Sequence, residues 1–195
     1  MIKMMRIITG SAKGIRLKTL EGDATRPTSE RVKEAVFSMI QFDIEDRKIL
    51  DLFSGSGQMS LEALSRGASS AVMIDKSPDA VKIMEDNAQK TKLYSKCNIK
   101  RMDYLDYIRR NHGERFDIIF LDPPYASHFY RPALRALIDA DMLKPSSMIV
   151  CESGENEIFD GDQEISSRFK VYKQSRYSKT LITILMLADG VTDDE

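Results

Sequence analysis

Tryptophan is missing from this chain, and histidine and cysteine nearly so: its 195 residues hold no Trp, two His and two Cys. The two cysteines, Cys97 and Cys151, stand in apolar surroundings without the spacing a zinc site or a redox pair requires, and read as free thiols of a reducing compartment. His112 and His128 are isolated in polar stretches and read as solvated loop residues, so no metal constellation is expected. Long apolar runs are lacking too. The longest, Leu181 to Ala188, is far too short to span a bilayer, and the opening residues do not resemble a signal peptide. A cytoplasmic protein without a membrane partner is the expectation. Repeats and low-complexity segments are absent, and eleven methionines are ordinary core filler.

Excess charge of one sign is the last absence: the formal net charge is −1. Its distribution matters more than its sum. From Met1 to Leu20 the chain carries Lys3, Arg6, Lys13, Arg16 and Lys18 and no acid, whereas Asp189, Asp193, Asp194 and Glu195 make an acidic, disordered-looking tail. A local basic stripe is what a phosphate backbone requires, whatever the mean. Arg6–Thr9 and Ile15–Lys18, separated by a Ser11–Gly14 turn, read as a hairpin. The expected division is a basic hairpin and loop over 1–27, a core domain over 28–188 and a tail over 189–195.

Beyond the hairpin, strand and helix alternate. Thr28 or Ser29 caps a helix with apolar residues at Val32, Ala35/Val36 and Met39/Ile40. Near-continuous apolar runs follow at Ile49–Phe53, Ala71–Ile74, Phe116–Leu121 and Met148–Cys151, with a weaker one at Asn98–Met102. Strands without alternation suit a parallel sheet buried on both faces. Helical stretches lie between them at Ser60–Arg66, Pro78–Lys90, Tyr104–Arg110 and Tyr130–Leu143. Phe169–Gln174 and Leu181–Leu187 close the chain as an antiparallel hairpin. This predicts a doubly wound α/β sheet.

Chemistry gathers at the strand ends. Asp51-Leu52-Phe53-Ser54-Gly55-Ser56-Gly57 is a strand followed by a glycine turn that opens a helix, where a ligand can approach the backbone closely. Asp75 ends the next strand, placed to take both hydroxyls of a ribose, and Asp103 the third, placed to accept from an adenine amine. A nucleoside cofactor follows from these, and a nicotinamide site would look alike so far. The fourth strand decides between them. It runs into Asp122-Pro123-Pro124-Tyr125, where two prolines stiffen the turn, Asp122 and the Pro123 carbonyl can accept from an NH2 group, and Tyr125 offers a stacking face. That set suits a flat heterocycle held by its exocyclic amine, and the chain has no room for a second, hydride-handling domain.

On these residues the sequence resembles the amino-methylating class I S-adenosylmethionine-dependent methyltransferases. More narrowly, it resembles the ribosomal RNA small subunit methyltransferase D family. The likeness spans nearly the whole chain: Arg6–Gly10 with Lys13-Gly14, the block Arg26-Pro27-Thr28-Ser29-Glu30-Arg31-Val32-Lys33-Glu34-Ala35-Val36-Phe37, Leu61–Ala68, and the two motifs above. Ile15 stands where the family usually has a base, Gln58 and Met59 where it has a small and an apolar residue, Asp75 for glutamate, and Ser178 for glycine in the last hairpin turn.

The resemblance implies a Rossmann-like fold with a seven-stranded, mostly parallel sheet, an antiparallel last strand and a small N-terminal β-hairpin. It implies methylation of guanine N2 in 16S rRNA, as naked RNA or within a small subunit. Asp122, Pro123, Pro124 and Tyr125 would hold the base. Asp51, Phe53, Ser54, Gly55 and Gly57 would hold the methionine half of S-adenosyl-L-methionine, Asp75 the ribose and Met102 with Asp103 the adenine, while Arg26 and Thr28 close over the methionine end. RNA contact falls to Arg6, Lys13, Arg16, Lys18 and Arg31, with Lys33 a weaker candidate. Adenine-N6 methylation and a non-catalytic role in ribosome assembly are the competing readings.

Overall fold

The computed structural model of the chain describes residues 5–20, 30–124, 127–154, 158–159 and 161–189. Strands β1 (Met5–Arg6) and β2 (Arg16–Leu17) pair antiparallel into the expected hairpin, shorter than the sequence suggests. Helix α1 (Glu30–Met39) follows; Thr28 and Ser29, expected to cap it, lie outside the described residues. Then come β3 (Lys48–Asp51), α2 (Gln58–Ser65), β4 (Ser70–Asp75), α3 (Pro78–Lys90), β5 (Cys97–Arg101), α4 (Tyr104–Arg110) and β6 (Phe116–Leu121). The chain continues with α5 (Tyr130–Asp139), β7 (Leu143–Ser153), α6 (Gln163–Ser167), β8 (Phe169–Tyr177) and β9 (Thr180–Leu187).

The last seven strands form one sheet in the order β5-β4-β3-β6-β7-β9-β8. β5, β4, β3, β6 and β7 are parallel, and β9 runs antiparallel to both neighbours. This is the Rossmann-like methyltransferase architecture the sequence implied. Two boundaries move. The α5 pattern stops at Asp139, so Leu143 begins a strand; β7 extends back through Lys144-Pro145-Ser146-Ser147, which carries no apolar signal. The Ser147 hydroxyl accepts from the Lys144 amide and donates to the Phe116 carbonyl, replacing pairing that the irregular register there omits.

Alternate residues of the central strands feed two apolar layers. Ile49, Met73, Phe120 and Ile184 face α1, α2, α3 and the hairpin; Leu50, Val72, Ile119 and Leu185 face α4, α5 and α6. The central strands are buried on both faces, which is why they read as unbroken apolar runs. Both cysteines are free thiols, Cys151 buried and Cys97 only half-buried. No helix among the described residues is long and apolar enough to cross a membrane.

Candidate active site

Sheet order brings the strand-end acids into a row. Reading across β5, β4, β3 and β6, the carboxyl ends present Asp103, Asp75, Asp51 and Asp122 in turn. With neighbouring strands about 4.8 Å apart, the row spans roughly 14 Å. The order reverses between β3 and β6, the switch point where a doubly wound sheet opens a crevice.

The turn after β3 lies at that crevice. Gly55 and Gly57 both take positive φ, 53° and 78°. At Gly57 the positive φ favours glycine, and a side chain there would come within 2.4 Å of Met73 Cε, the flexible end of a methionine that would have to move aside. At Gly55 a Cβ would meet nothing within 4 Å: the turn faces open space there. The Gly55 amide donates to Asp75 Oδ2 at 3.0 Å and the Ser77 amide to Asp75 Oδ1 at 2.9 Å, so turn and acid are locked together. The Ser54 hydroxyl donates to the Asp51 carbonyl, and the Ser60 hydroxyl to Asp51 Oδ2, each at 2.9 Å.

Asp51 is the electrostatic centre. Burial pushes its carboxyl up to about 7; the Ser60 hydrogen bond opposes that shift, and the nearby negative Asp122 adds to it. A cationic ligand group would relieve both costs. Gln58 Oε1, at the start of α2, is buried and has no hydrogen-bond partner among the described residues. Asp103 caps α4, its Oδ1 accepting from the Leu105 amide at 2.9 Å while the residue itself stays exposed; Met102 beside it is half-buried. Past β6, Asp122 is half-buried, Pro123 buried and Pro124 exposed. Tyr125, Arg26 and Thr28 lie outside the described residues.

Sequence reading missed the aromatic wall of this crevice. Phe53 meets Tyr104 at 4.9 Å and Phe129 at 5.6 Å between ring centroids, and His128 stacks on Phe129 at 4.3 Å. Three rings from three segments pack together near the strand ends, Tyr104 buried and Phe53 and Phe129 half-buried; no spacing in the sequence joins them. Tyr130 donates its hydroxyl to the Glu152 carbonyl, fixing the start of α5 against β7. Burial raises its pKa.

The basic candidates separate. Arg6, Lys13, Arg16, Lys18 and Arg31 are all exposed; Arg6 pairs with Glu30 at 3.3 Å and Lys18 with Asp86 at 2.6 Å. Lys33 is different. Fully buried, it donates to the Arg6 carbonyl at 2.6 Å and pairs with Glu62 at 3.5 Å, so its role is structural. Burial lowers its pKa, opposed by Glu62. Glu62 also accepts from the Ile8 and Thr9 amides and from Arg66 Nε, which clamps the hairpin onto α2. Asn87, buried on α3, donates to the Ser56 carbonyl at 2.9 Å and exchanges hydrogen bonds with the Lys18 backbone. One side chain thus ties the hairpin's exit to the glycine turn.

A model of the family described as "Conserved hypothetical protein 95" matches residues 5–186. The "Ribosomal RNA small subunit methyltransferase D" of Haemophilus influenzae is 31% identical over 155 residues, 78% of this chain and 80% of that protein. The chain belongs to the small subunit methyltransferase D family. As a family member it carries the class I methyltransferase fold. Among solved structures, a conserved hypothetical protein of Streptococcus pyogenes is 32% identical with a TM-score of 0.72, covering 80% of this chain and 96% of its own. An RNA methyltransferase from Salinibacter ruber in complex with S-adenosyl-L-homocysteine shares the fold, with a TM-score of 0.67 and 15% identity over 87% of this chain and 98% of its own. Among the described residues of this family member, no cluster of His, Cys, Asp or Glu could hold a metal.

Proposed function

We propose that this protein uses S-adenosyl-L-methionine to methylate the exocyclic N2 of a guanine in 16S rRNA. The row of acids carries the reading. Asp103, Asp75, Asp51 and Asp122 succeed one another across the sheet, the order in which a bound adenine, ribose, methionine and acceptor base would follow one another. The donor groups suit the cofactor: the two oxygens of the Asp75 carboxylate for ribose hydroxyls, a buried acid poised near neutrality for the ammonium, and at Gln58 a buried amide oxygen without a partner among the described residues. Named relatives, the small subunit methyltransferase D of Haemophilus influenzae among them, support rRNA as the substrate.

Bound S-adenosyl-L-methionine supplies an electrophilic sulfonium methyl. The protein's work is then positioning. Asp122 and the Pro123 carbonyl accept hydrogen bonds from the guanine NH2, favouring a more tetrahedral nitrogen whose lone pair faces the methyl. Those bonds strengthen as positive charge develops on nitrogen, so they stabilise the transition state more than the bound substrate. Tyr125 stacks on the base once it is turned out of its helix. Arg6, Lys13, Arg16, Lys18 and Arg31 meet the RNA backbone, and Arg26 with Thr28 closes over the methionine end. The setting is the cytoplasm, where ribosomes are made.

The test is nucleoside mass spectrometry on 16S rRNA from small-subunit material lacking this modification, incubated with the protein and labelled donor. Label in N2-methylguanosine at one site is the expected result. Label in N6-methyladenosine would assign the competing base, and label nowhere in the RNA would overturn the substrate.

A further inference from the structure

From Ile165 to Ala188 the chain has five basic residues, Arg168, Lys170, Lys173, Arg176 and Lys179, and no acid. Most of them lie on β8, the edge strand of the sheet. Lysines on an edge strand are a common guard against unwanted pairing, and two of these have such local duties. Lys170 pairs with Asp189 at 2.5 Å, and Lys173 donates to the Met39 carbonyl at the end of α1. Arg168 is half-buried, its Nε out of solvent. Arg176 and Lys179 remain, both exposed and neither in an ion pair among the described residues.

Their position is set by register. β8 is antiparallel to β9, which is antiparallel to β7, so β8 points the same way as the catalytic strands. Leu121 lies opposite Cys151, Cys151 opposite Thr183, and Thr183 opposite Gln174. Gln174 is therefore level with the end of β6, and Arg176, two residues on, is level with the Asp122-Pro123 turn. Three strand spacings, roughly 14 Å, separate them along the sheet edge. Tyr177 and Thr180 close a two-residue turn with Ser178 at φ 58°, which carries Lys179 past the edge.

We infer that Arg176 and Lys179 form a second RNA-backbone contact, flanking the target base on the side away from the N-terminal hairpin. The inference rests on the RNA-methyltransferase reading. Asn87 fixes the hairpin's exit beside the glycine turn, and the β8–β9 turn stands on the other side of Asp122. A strand of RNA crossing the carboxyl edge of the sheet would meet positive charge on both sides of the site. A single hairpin would leave one side of the flipped nucleotide unheld. Contacts of this kind go to phosphates and fix register without reading sequence.

The experiment measures binding of protein-free 16S rRNA, and separately of assembled small subunits, by the wild type, Arg176→Ala/Lys179→Ala and Lys170→Ala across a salt series. Affinity for the methyl donor and the thermal melt report on the fold of each. The double variant is expected to bind RNA roughly tenfold more weakly near physiological salt, its log–log salt slope smaller by about 1.4, as for two phosphates on a single strand. Lys170→Ala, on the far end of the same strand, should match the wild type. Unchanged RNA binding by the double variant, with the wild type still methylating RNA, overturns this contact and leaves the enzyme assignment standing. So does equal weakening by Lys170→Ala, which would mean a general charge effect. A loss confined to assembled subunits would assign the surface to a protein partner instead. Failure of the wild type to bind or methylate any RNA would overturn the function and this contact together.

Discussion

Asp51 and Asp122 stand at the ends of adjacent strands where the sheet order reverses, and the proposed function gives them different tasks. Asp122→Ala should abolish methyl transfer while leaving methyl-donor affinity within a few-fold, checked by label incorporation beside a donor titration. Equal loss of both would move Asp122 into the donor's site. Asp51 leads to a stability prediction. Its folded pKa, about 7, lies above the unfolded value, so across the window from about pH 4 to 7 the folded state holds a proton that the unfolded state has lost. Stability conferred by the protonated form therefore falls as pH rises through that window and is level above it. Asp51→Asn removes the ionisation but keeps an acceptor for Ser60. Its stability relative to wild type should rise by on the order of 2–4 kcal/mol between pH 5 and 8, read from donor-free melts. Both acids were legible in the sequence because strand ends and glycine turns leave local marks. The titration of Asp51 was not, since it depends on burial and on a neighbour seventy-one residues away.

At the scale of elements, α2 shows why part of the site escaped the sequence. Glu62 looks like a solvent residue on the outer face of an amphipathic helix, but every residue of α2 is buried because the hairpin covers that face. Local periodicity does not show a lid supplied from fifty residues upstream. Glu62→Ala should cost about 3–5 kcal/mol in urea unfolding, because Lys33 would be left buried and uncompensated. The Ile8 and Thr9 amides should then exchange with solvent markedly faster, since Glu62 is their acceptor. Strand β7 teaches the same lesson from the other side: its polar first half is held by the Ser147 hydroxyl and by Lys144 on Asp117, neither visible as hydrophobic pattern. The aromatic group of Phe53, Tyr104 and Phe129 exists only once α4 and the segment before α5 meet over the glycine turn.

The described residues build one seven-stranded sheet with an apolar layer on each face and a two-stranded hairpin packed on one of them. Met5, Ile7 and Leu17 of the hairpin belong to the same layer as α1, α2 and α3, and the central strands β3, β4, β6, β7 and β9 contribute side chains to both layers. Neither layer persists without the seven-stranded sheet between them, so unfolding in urea should be a single transition, with coincident curves from far-ultraviolet circular dichroism and from tyrosine fluorescence. An earlier step in either signal would show that the hairpin or one layer yields on its own. A near-zero net charge gave no hint of the basic runs at Lys3–Lys18 and Arg168–Lys179, because the acids that balance them lie elsewhere in the chain.

The clamp on the hairpin also bears on how the protein comes to be folded. Ile8 and Thr9 wait for Glu62, 54 and 53 residues downstream, and the Lys18 backbone waits for Asn87, 69 residues away. During synthesis these early residues leave the ribosome well before their partners exist, and closing such loops is among the slower events of folding. The segment proposed to grip RNA is thus made before the surface that holds it still, and for that interval it is an unanchored basic arm beside the ribosome's own RNA.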